Sequence, residues 1–307
     1  MRRKDRWHCS TSSCSNDEDA VLCIEGIDCS AARHTSLASM DGIARVQIGR
    51  MKNDGQCYSL PILPLCLKEL CLIRVDDKNI SNAVESQREL LSLSIQKTSL
   101  EKVTAALFSP IWKSRFENLS QEKWSKLQKL EELNLTECRL QKFPFPIGEL
   151  PALKRLDLSD NSELKCLPED IGSKLQNLEE IKVSSCGLEK LPISLSNLTA
   201  LKKLDLSGNS GLKSLPEDIG SKLQNLEEIN MWMCGLQQLP NSLSNLTSLK
   251  KLDLGGNCEL KRLSKDIGSK LKNLEELNLW GCGLQQLPNS LSNLTALKNL
   301  NLSENKK

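Results

Sequence analysis

The string LKKLDLSGN, residues 201–209, decides the fold, because versions of it recur along the chain. The related strings alternate between 23-residue and 25-residue steps, so the true repeating unit is a 48-residue pair. Blocks 153–200, 201–248 and 249–296 are close copies of each other, which indicates repeated duplication of a two-repeat block. The related strings begin at Leu130, Leu153, Leu178, Leu226, Leu249, Leu274 and Leu297.

The LxL core of each string is typical of a short strand. Side chains alternate along a strand, so both leucines lie on one face. A single repeat cannot bury that face, whereas stacked copies bury it against each other. Parallel strands need crossover connections, and right-handed crossovers dominate. The prolines that follow the second leucine step indicate turns or extended return segments rather than helix interiors. They are Pro168, Pro192, Pro216, Pro240 and Pro288.

Over residues 130–305 the chain resembles the leucine-rich repeat family, whose signature is LxxLxLxxN/CxL. The resemblance implies an α/β solenoid, curved, with a parallel sheet on its concave face. Short 3₁₀, helical or irregular segments then form the convex side. The recurrent LPxxI/L step resembles the intracellular, Ras-group type of repeat, which is also seen in scribble-like scaffolds and plant disease-resistance receptors.

The N/C position of the signature alternates regularly and is predicted to be a buried structural ladder. A buried Asn amide satisfies backbone groups of adjacent turns, and a small Cys buries easily. We expect these cysteines to be unreactive. The ladder residues are Cys138, Asn161, Cys186, Asn209, Cys234, Asn257, Cys282 and Asn305.

The repeat also predicts the domain organisation. Residues 1–40 are expected to be a disordered leader, and residues 41–129 degenerate repeats with an insertion or N-terminal cap near 104–126. Weak echoes of the template lie around Ile43, Leu67 and Leu90. Regular repeats fill residues 130–307, and the chain stops inside a repeat. This predicts a truncated chain or a missing C-terminal module, because an open solenoid end exposes its core.

Charge and hydropathy exclude several classes of function. Lys plus Arg total 41 and Asp plus Glu total 39, so there is no electrostatic reason to expect nucleic acid or an anionic membrane as the partner. No apolar run is long enough to span a membrane. Residues 1–20 lack the apolar stretch of a secretory signal. We therefore predict a cytoplasmic protein, with a fragment that has lost its leader as the alternative.

The sequence predicts no cofactor, no metal and no catalysis. Cys9, Cys14, Cys23 and Cys29 lie near two histidines, but their spacing fits no zinc motif, so a zinc site there is the minor alternative. Both histidines of the chain lie in the leader, which leaves little for general-base catalysis. Phosphate-binding, nucleophile-elbow and metalloprotease motifs do not occur.

Two tryptophans interrupt an otherwise polar surface. Pairs of acidic residues and pairs of basic residues alternate from repeat to repeat. This predicts that opposite charges on neighbouring strands face each other and that the exposed surface is nearly neutral. Trp232 and Trp280 occupy one slot two turns apart, and Met233 adds apolar surface beside the first. Exposed Trp among small residues is typical of a binding hot spot. A tolerated surface residue, or an indole folded onto a neighbouring turn, is the alternative. The polar rim contacts would be Asn230, Asp253 and Asn278.

The function that fits these features is a non-catalytic interaction module presenting its concave sheet to a protein partner. The resemblance implies a signalling scaffold or adaptor, for example in an assembly around a small GTPase. Three alternatives remain open. The first alternative is the ligand-sensing segment of an innate immune receptor, and the second is the substrate-recognition part of a ubiquitin ligase. The third is a secreted adhesion protein.

Overall fold

The computed structural model describes residues 20–25, 43–49, 63, 67–73, 87, 89–96, 127–143 and 150–305. The chain forms two compact units. Unit 1 comprises Met1–Cys138 and Pro144–Ala152, and unit 2 comprises Arg139–Phe143 and Leu153–Lys307. The leader cysteines and the insertion expected near 104–126 lie outside the described residues, except for the strand at residues 20–25.

In unit 1 the described residues form five strands, and each pairs in parallel with the next along the chain. Strands β2, β3 and β4 lie at the weak echoes of the repeat. Strand β1 falls within residues 1–40, so its residues are an exception to the disorder expected there. The strands are β1 (Ala20–Glu25), β2 (Ile43–Gly49), β3 (Glu69–Ile73), β4 (Ser92–Gln96) and β5 (Glu132–Asn134).

In unit 2 seven three-residue strands occupy the described residues and again pair in parallel, in chain order. Arg155 pairs with Glu180, and Glu180 pairs with Lys203. The first pairing spans a 25-residue step and the second a 23-residue step, so the register of the sheet follows the sequence repeat. The predicted solenoid with a parallel sheet is confirmed. The strands are β6 (Arg155–Asp157), β7 (Glu180–Lys182), β8 (Lys203–Asp205), β9 (Glu228–Asn230), β10 (Lys251–Asp253), β11 (Glu276–Asn278) and β12 (Asn299–Asn301).

The return segments of unit 2 alternate between two kinds of helix, which explains the 48-residue period. The 25-residue repeats contain one-turn α-helices: α1 (Ile171–Lys174), α2 (Ile219–Lys222) and α3 (Ile267–Lys270). The 23-residue repeats contain 3₁₀ helices at Ile193–Asn197, Asn241–Asn245 and Asn289–Asn293. Each 3₁₀ helix follows an extended proline, as expected for a residue with a fixed φ.

Each α-helix packs closely on the 3₁₀ helix of the following repeat through a glycine. A Cβ placed on Gly220 of α2 would lie 1.8 Å from the backbone oxygen of Ser242. The glycine also donates its backbone N–H to the Ser242 hydroxyl at 3.2 Å. Gly172 and Gly268 make the same approach to Ser194 and Ser290. The recurrent IGSK sequence therefore results from backbone contact between repeats.

Aliphatic side chains fill the interior of unit 2. Leu201, Leu204 and Leu206 of the quoted string are all buried, and the equivalent residues of the neighbouring repeats are buried with them. Burial of each leucine contributes about 1.5–3 kcal/mol before the cost of ordering is subtracted. No helix within the described residues is both long enough and apolar enough to cross a membrane.

Candidate binding surface of unit 2

The strands of unit 2 line an open groove with a volume of about 750 Å³. Each of β7, β8, β9, β10 and β11 contributes its three residues, and β12 contributes together with Lys298. Because alternate side chains of every strand point away from the leucine core, the polar positions of the repeat face the groove, and the core-position residue of each strand also contributes to its lining. Three of the predicted site residues line it: Asn230, Asp253 and Asn278.

A first row of charges lies beside the groove, with only Lys298 lining it, and is paired across the 23-residue steps. This row consists of the residue after the first leucine of each string. Lys202 Nζ lies 2.7 Å from Glu179 Oε2, and Lys250 lies at the same distance from Glu227. A third pair, Lys298 with Glu275, is also at 2.7 Å.

The second row is paired in the opposite direction, across the 25-residue steps. Lys203 lies 3.3 Å from Glu228, and Lys251 lies 3.3 Å from Glu276. Of two adjacent lysines, one therefore pairs with the preceding repeat and the other with the following repeat. This is the arrangement that the alternation of charged pairs predicts.

The ion pairs change the protonation of their members in a consistent direction. A hydrogen bond from Lys250 lowers the pKa of Glu227, and the same bond raises the pKa of Lys250. Hydrogen bonds from Lys202 and Lys298 lower the pKa of Glu179 and of Glu275. These carboxylates are solvent-exposed, so screening keeps their contribution to stability small. Together with the pairs of the second row, they leave the charges in and beside the groove largely balanced.

The polar residues predicted as rim contacts also have a structural role. Asn230 Oδ1 accepts the backbone N–H of Trp232 at 3.1 Å, and Asn278 Oδ1 accepts that of Trp280 at 3.0 Å. Asp253 accepts the N–H of Gly255 at 2.9 Å and the side-chain amide of Asn278 at 3.0 Å. A side-chain oxygen that accepts the backbone N–H two residues later in the chain stabilises the turn that follows each strand. The recurrence of Asn or Asp in this slot was the sequence signal for that role.

The three apolar site residues lie just beyond the groove, at the edge where the strands end. Trp232, Met233 and Trp280 are 40%, 42% and 36% exposed. None of them is among the residues that line the groove. The structure therefore divides the predicted site into groove residues (Asn230, Asp253, Asn278) and edge residues (Trp232, Met233, Trp280).

Three asparagines of the predicted ladder (Asn161, Asn209 and Asn257) are buried, the last one, Asn305, is partly buried, and all four bridge successive turns. Asn209 donates its amide to the backbone oxygens of Val183 at 2.8 Å and Leu206 at 2.6 Å. Its Oδ1 accepts the N–H of Leu188 at 2.8 Å. Asn257 donates in the same way to Met231 and Leu254. Asn161 donates to Leu158 and accepts from Leu140, and Asn305 donates to Leu279 and Leu302.

The ladder cysteines are buried and donate to the backbone of the turn before them. Cys186 Sγ lies 3.0 Å from the oxygen of Leu158, and Cys234 lies 3.0 Å from that of Leu206. Cys138 and Cys282 donate in the same way, to Ile95 and Leu254. Burial raises the pKa of Cys186 and Cys234 to about 12 and that of Cys282 to about 11. These groups are protonated thiols at neutral pH, which makes them poor nucleophiles.

Within the described ranges, no three His, Cys, Asp or Glu side chains are grouped closely enough to bind a metal ion. The histidines and most cysteines of the leader lie outside those ranges.

Comparison with protein families agrees with this architecture. A leucine-rich repeat model matches residues 151–210 and 199–258, and a second one matches residues 273–294. The matched residues are leucine-rich repeats. No curated protein matches the sequence.

Solved structures with the same fold come from very different proteins. A leucine-rich repeat protein of Leptospira interrogans is 27% identical, with a TM-score of 0.56, over 91% of this chain and 68% of its own. The leucine-rich repeat domain of the type III effector XopL is 26% identical, with a TM-score of 0.54, over 71% and 70%. Toll, in its Drosophila complex with Spatzle, is 20% identical, with a TM-score of 0.63. The match covers 94% of this chain but only 44% of Toll.

Proposed function

We propose that the chain is a non-catalytic protein-binding module that holds a protein partner against the groove and the edge of unit 2. The observation that carries the proposal is the exposure of two tryptophans and a methionine beside a groove whose charges are already paired. Leucine-rich repeat domains are in general protein-interaction modules, and the match of residues 151–258 and 273–294 to leucine-rich repeat models supports the proposal.

The exposed indoles support this role energetically. Burial of a tryptophan under a partner removes a large apolar area from water, and Trp is enriched among residues that dominate binding energy. Several charges of the surrounding groove are paired with each other, so these pairs would exclude water from the contact without adding much energy. The contacts proposed are Trp232, Trp280, Met233, Asn230, Asn278 and Asp253.

The finer role that we propose is a cytoplasmic signalling scaffold or adaptor, with a signalling assembly or a small GTPase as the partner. The cysteines of the described part of unit 2 are thiols rather than disulfides, which favours a reducing compartment. The alternative is a ligand-sensing segment of an innate immune receptor, since Toll shares the fold. A substrate-recognition part of a ubiquitin ligase is the further alternative.

A matched pair of variants tests the proposal. The slot of Trp232 and Trp280 holds Ser184 in the first 48-residue copy, so Trp232→Ser with Trp280→Ser is a change that the fold already tolerates. The control is Ile193→Asn on a return segment, where Ile193 is 73% exposed and the later copies have Asn241 and Asn289. Neither change should lower the melting temperature by more than a degree or two.

The measurement is affinity capture of partner proteins from a reducing lysate. We expect wild type and Ile193→Asn to retain the same protein and the double tryptophan variant to lose it. Retention by all three variants would contradict the proposed contact residues. Capture of nothing by folded wild-type chain, from several tissues or growth conditions, would contradict the function itself.

A further inference from the structure

A strip of six residues at the strand ends contains neither a charge nor a side-chain hydrogen-bonding group other than the two indole N–H groups. It consists of the two slots after the last leucine of the LxL core in three successive repeats. The strip residues are Trp232, Met233, Gly255, Gly256, Trp280 and Gly281. In the neighbouring repeats the same slots are occupied by Ser184 and Ser185, by Ser207 and Gly208, and by Ser303 and Glu304.

In the first half of the strip the large side chains of Trp232 and Met233 lie on Gly255 and Gly256 of the next turn. A Cβ on Gly255 would lie 3.1 Å from Trp232 Cδ1, and a Cβ on Gly256 would lie 2.8 Å from Met233 Cγ. A serine at position 255, as in the equivalent slot of Ser207, would press on the indole. Backbone hydrogen bonds join the three turns, from Met233 to Gly255 at 2.8 Å and from Gly256 to Trp280 at 2.6 Å. The indole of Trp232 therefore occupies the space that a side chain at position 255 would fill.

One hydrogen-bond donor lies next to the strip. Asn230 uses its side-chain oxygen to accept the N–H of Trp232. Among the hydrogen bonds of the described residues, its Nδ2 group donates none, so two N–H donors remain for a ligand carbonyl. Asn278 in contrast donates its amide to Asp253.

The spacing of the two tryptophans selects among peptide conformations. Two strand steps separate their repeats by roughly 10 Å, since neighbouring strands are about 4.8 Å apart. A polyproline II helix repeats every three residues at about 3.1 Å each, which places side chains i and i+3 about 9 Å apart on one face. A β-strand repeats on one face at about 7 Å and would miss the second indole.

An amphipathic helix fits the strip less well. Its anchors at i, i+4 and i+7 need an apolar contact in the middle turn, where the strip has only Gly255 and Gly256. Its backbone carbonyls are also used internally, which would leave the Asn230 amide without an acceptor. A polyproline II segment has no internal hydrogen bonds, and its carbonyls are free to accept.

We propose that the strip binds an uncharged, proline-rich segment of the partner in the polyproline II conformation. Residues i and i+3 of that segment would pack on Trp232 and Trp280. The backbone carbonyl of residue i would accept from Asn230, which lies on the same strand as the residues that lead to Trp232. This inference rests on the proposed function and specifies its partner chemistry. Prolines pack well on aromatic side chains and lose little conformational entropy on binding, which favours a short segment as the ligand.

The test uses the full chain and a synthetic, uncharged peptide of about twelve residues with proline at every third position. Titration calorimetry compares wild type with Trp232→Ser, Trp280→Ser, Gly255→Ser and the control Ile193→Asn. A scrambled peptide of the same composition and an uncharged helical peptide with leucines at i, i+4 and i+7 serve as matched ligands.

We expect the proline peptide to bind wild type and Ile193→Asn equally. Each Trp→Ser change should weaken binding roughly tenfold, and Gly255→Ser should weaken it several-fold by displacing the indole. An increase in NaCl from about 50 to about 500 mM should change the affinity less than twofold, because no charged pair is involved.

Several outcomes would overturn the inference. They are an absence of binding at about 1 mM peptide, equal binding by the serine variants, or binding of the scrambled or helical peptide as tightly as the proline peptide. A dimer of the chain that disappears in the Trp→Ser variants would also overturn it, by identifying a second copy as the occupant. If the peptide fails but protein capture is still lost in the double tryptophan variant, the inference alone fails. If that capture is also absent, the proposed function fails too.

Discussion

The first 48-residue copy, residues 153–200, and the two later copies, residues 201–248 and 249–296, have the same backbone but different edges. All three keep the leucine core, the ladder asparagine and the glycine that contacts the next repeat. At the strand ends the first copy has Ser184 and Ser185, whereas the second has Trp232 and Met233. The comparison separates residues that maintain the fold from residues that are free to acquire a binding role.

Thiol reactivity provides the largest expected contrast between shared and variable positions. Cys186 and Cys234 belong to the shared ladder. Cys166 and Cys258 are exposed, and the other copies have no cysteine at the equivalent positions. Because burial raises the pKa of the ladder thiols to about 12, we expect native alkylation near pH 8 to be about a thousandfold slower at the ladder than at the exposed positions. Peptide mapping by mass spectrometry measures both rates, and comparable rates would contradict the structural role of the ladder.

Asn209→Ala should be the most destabilising change at a shared position. It removes buried hydrogen bonds to Val183, Leu206 and Leu188 and leaves their backbone groups unsatisfied. We expect the free energy of unfolding to fall by about 3 kcal/mol or more. Denaturant titration monitored by circular dichroism is the measurement. A loss below about 0.5 kcal/mol would show that the ladder amide is dispensable.

Gly220→Ala tests the close contact between α2 and the following 3₁₀ helix. Its new Cβ would meet the backbone of Ser242, so the two segments must move apart. The expected loss is about 1–3 kcal/mol, typical of overpacking. Gly211→Gln is the control, because Glu163 and Glu259 fill the same slot beside Gln141 and Gln237, whereas the facing residue here is Glu189. A glutamine amide can donate to that carboxylate, so the change should be nearly neutral. Equal melting temperatures for both variants would argue against the contact.

The paired charges should give the smallest effect, and it should depend on pH. The pKa of Glu179, Glu227 and Glu275 is lowered in the folded chain, so their stabilisation is fully present above their unfolded value of 4.5. It is lost as the pH falls through the lower, folded pKa. Thermal melts between pH 6 and pH 3, at about 50 mM salt, should therefore show a shallower acid decline for the triple Glu→Gln variant. Parallel curves for the variant and wild type would show that the pairs have no effect.

The leucine repeat was sufficient to predict strand positions, their parallel order and the buried ladder in unit 2. Local spacing carries that information, because a shift by one residue would expose the leucines. The separation of the edge from the groove was not predictable, since it depends on how the indole of Trp232 lies on Gly255. The roles of Gly220 and of the strand-end asparagines were also missed. Both involve backbone contacts between or within turns, for which recurrence was the only signal.

Hydrogen–deuterium exchange of the wild-type chain with its captured partner tests most directly whether the later copies contain the binding site. Peptides covering residues 228–234, 251–257 and 276–282 should exchange more slowly in the complex. The equivalent residues of the first copy, 180–186, and the return segments should keep their free rates. Equal protection of the first copy, or protection confined to the return segments, would contradict the assignment of the binding site to the edge and groove of the later copies.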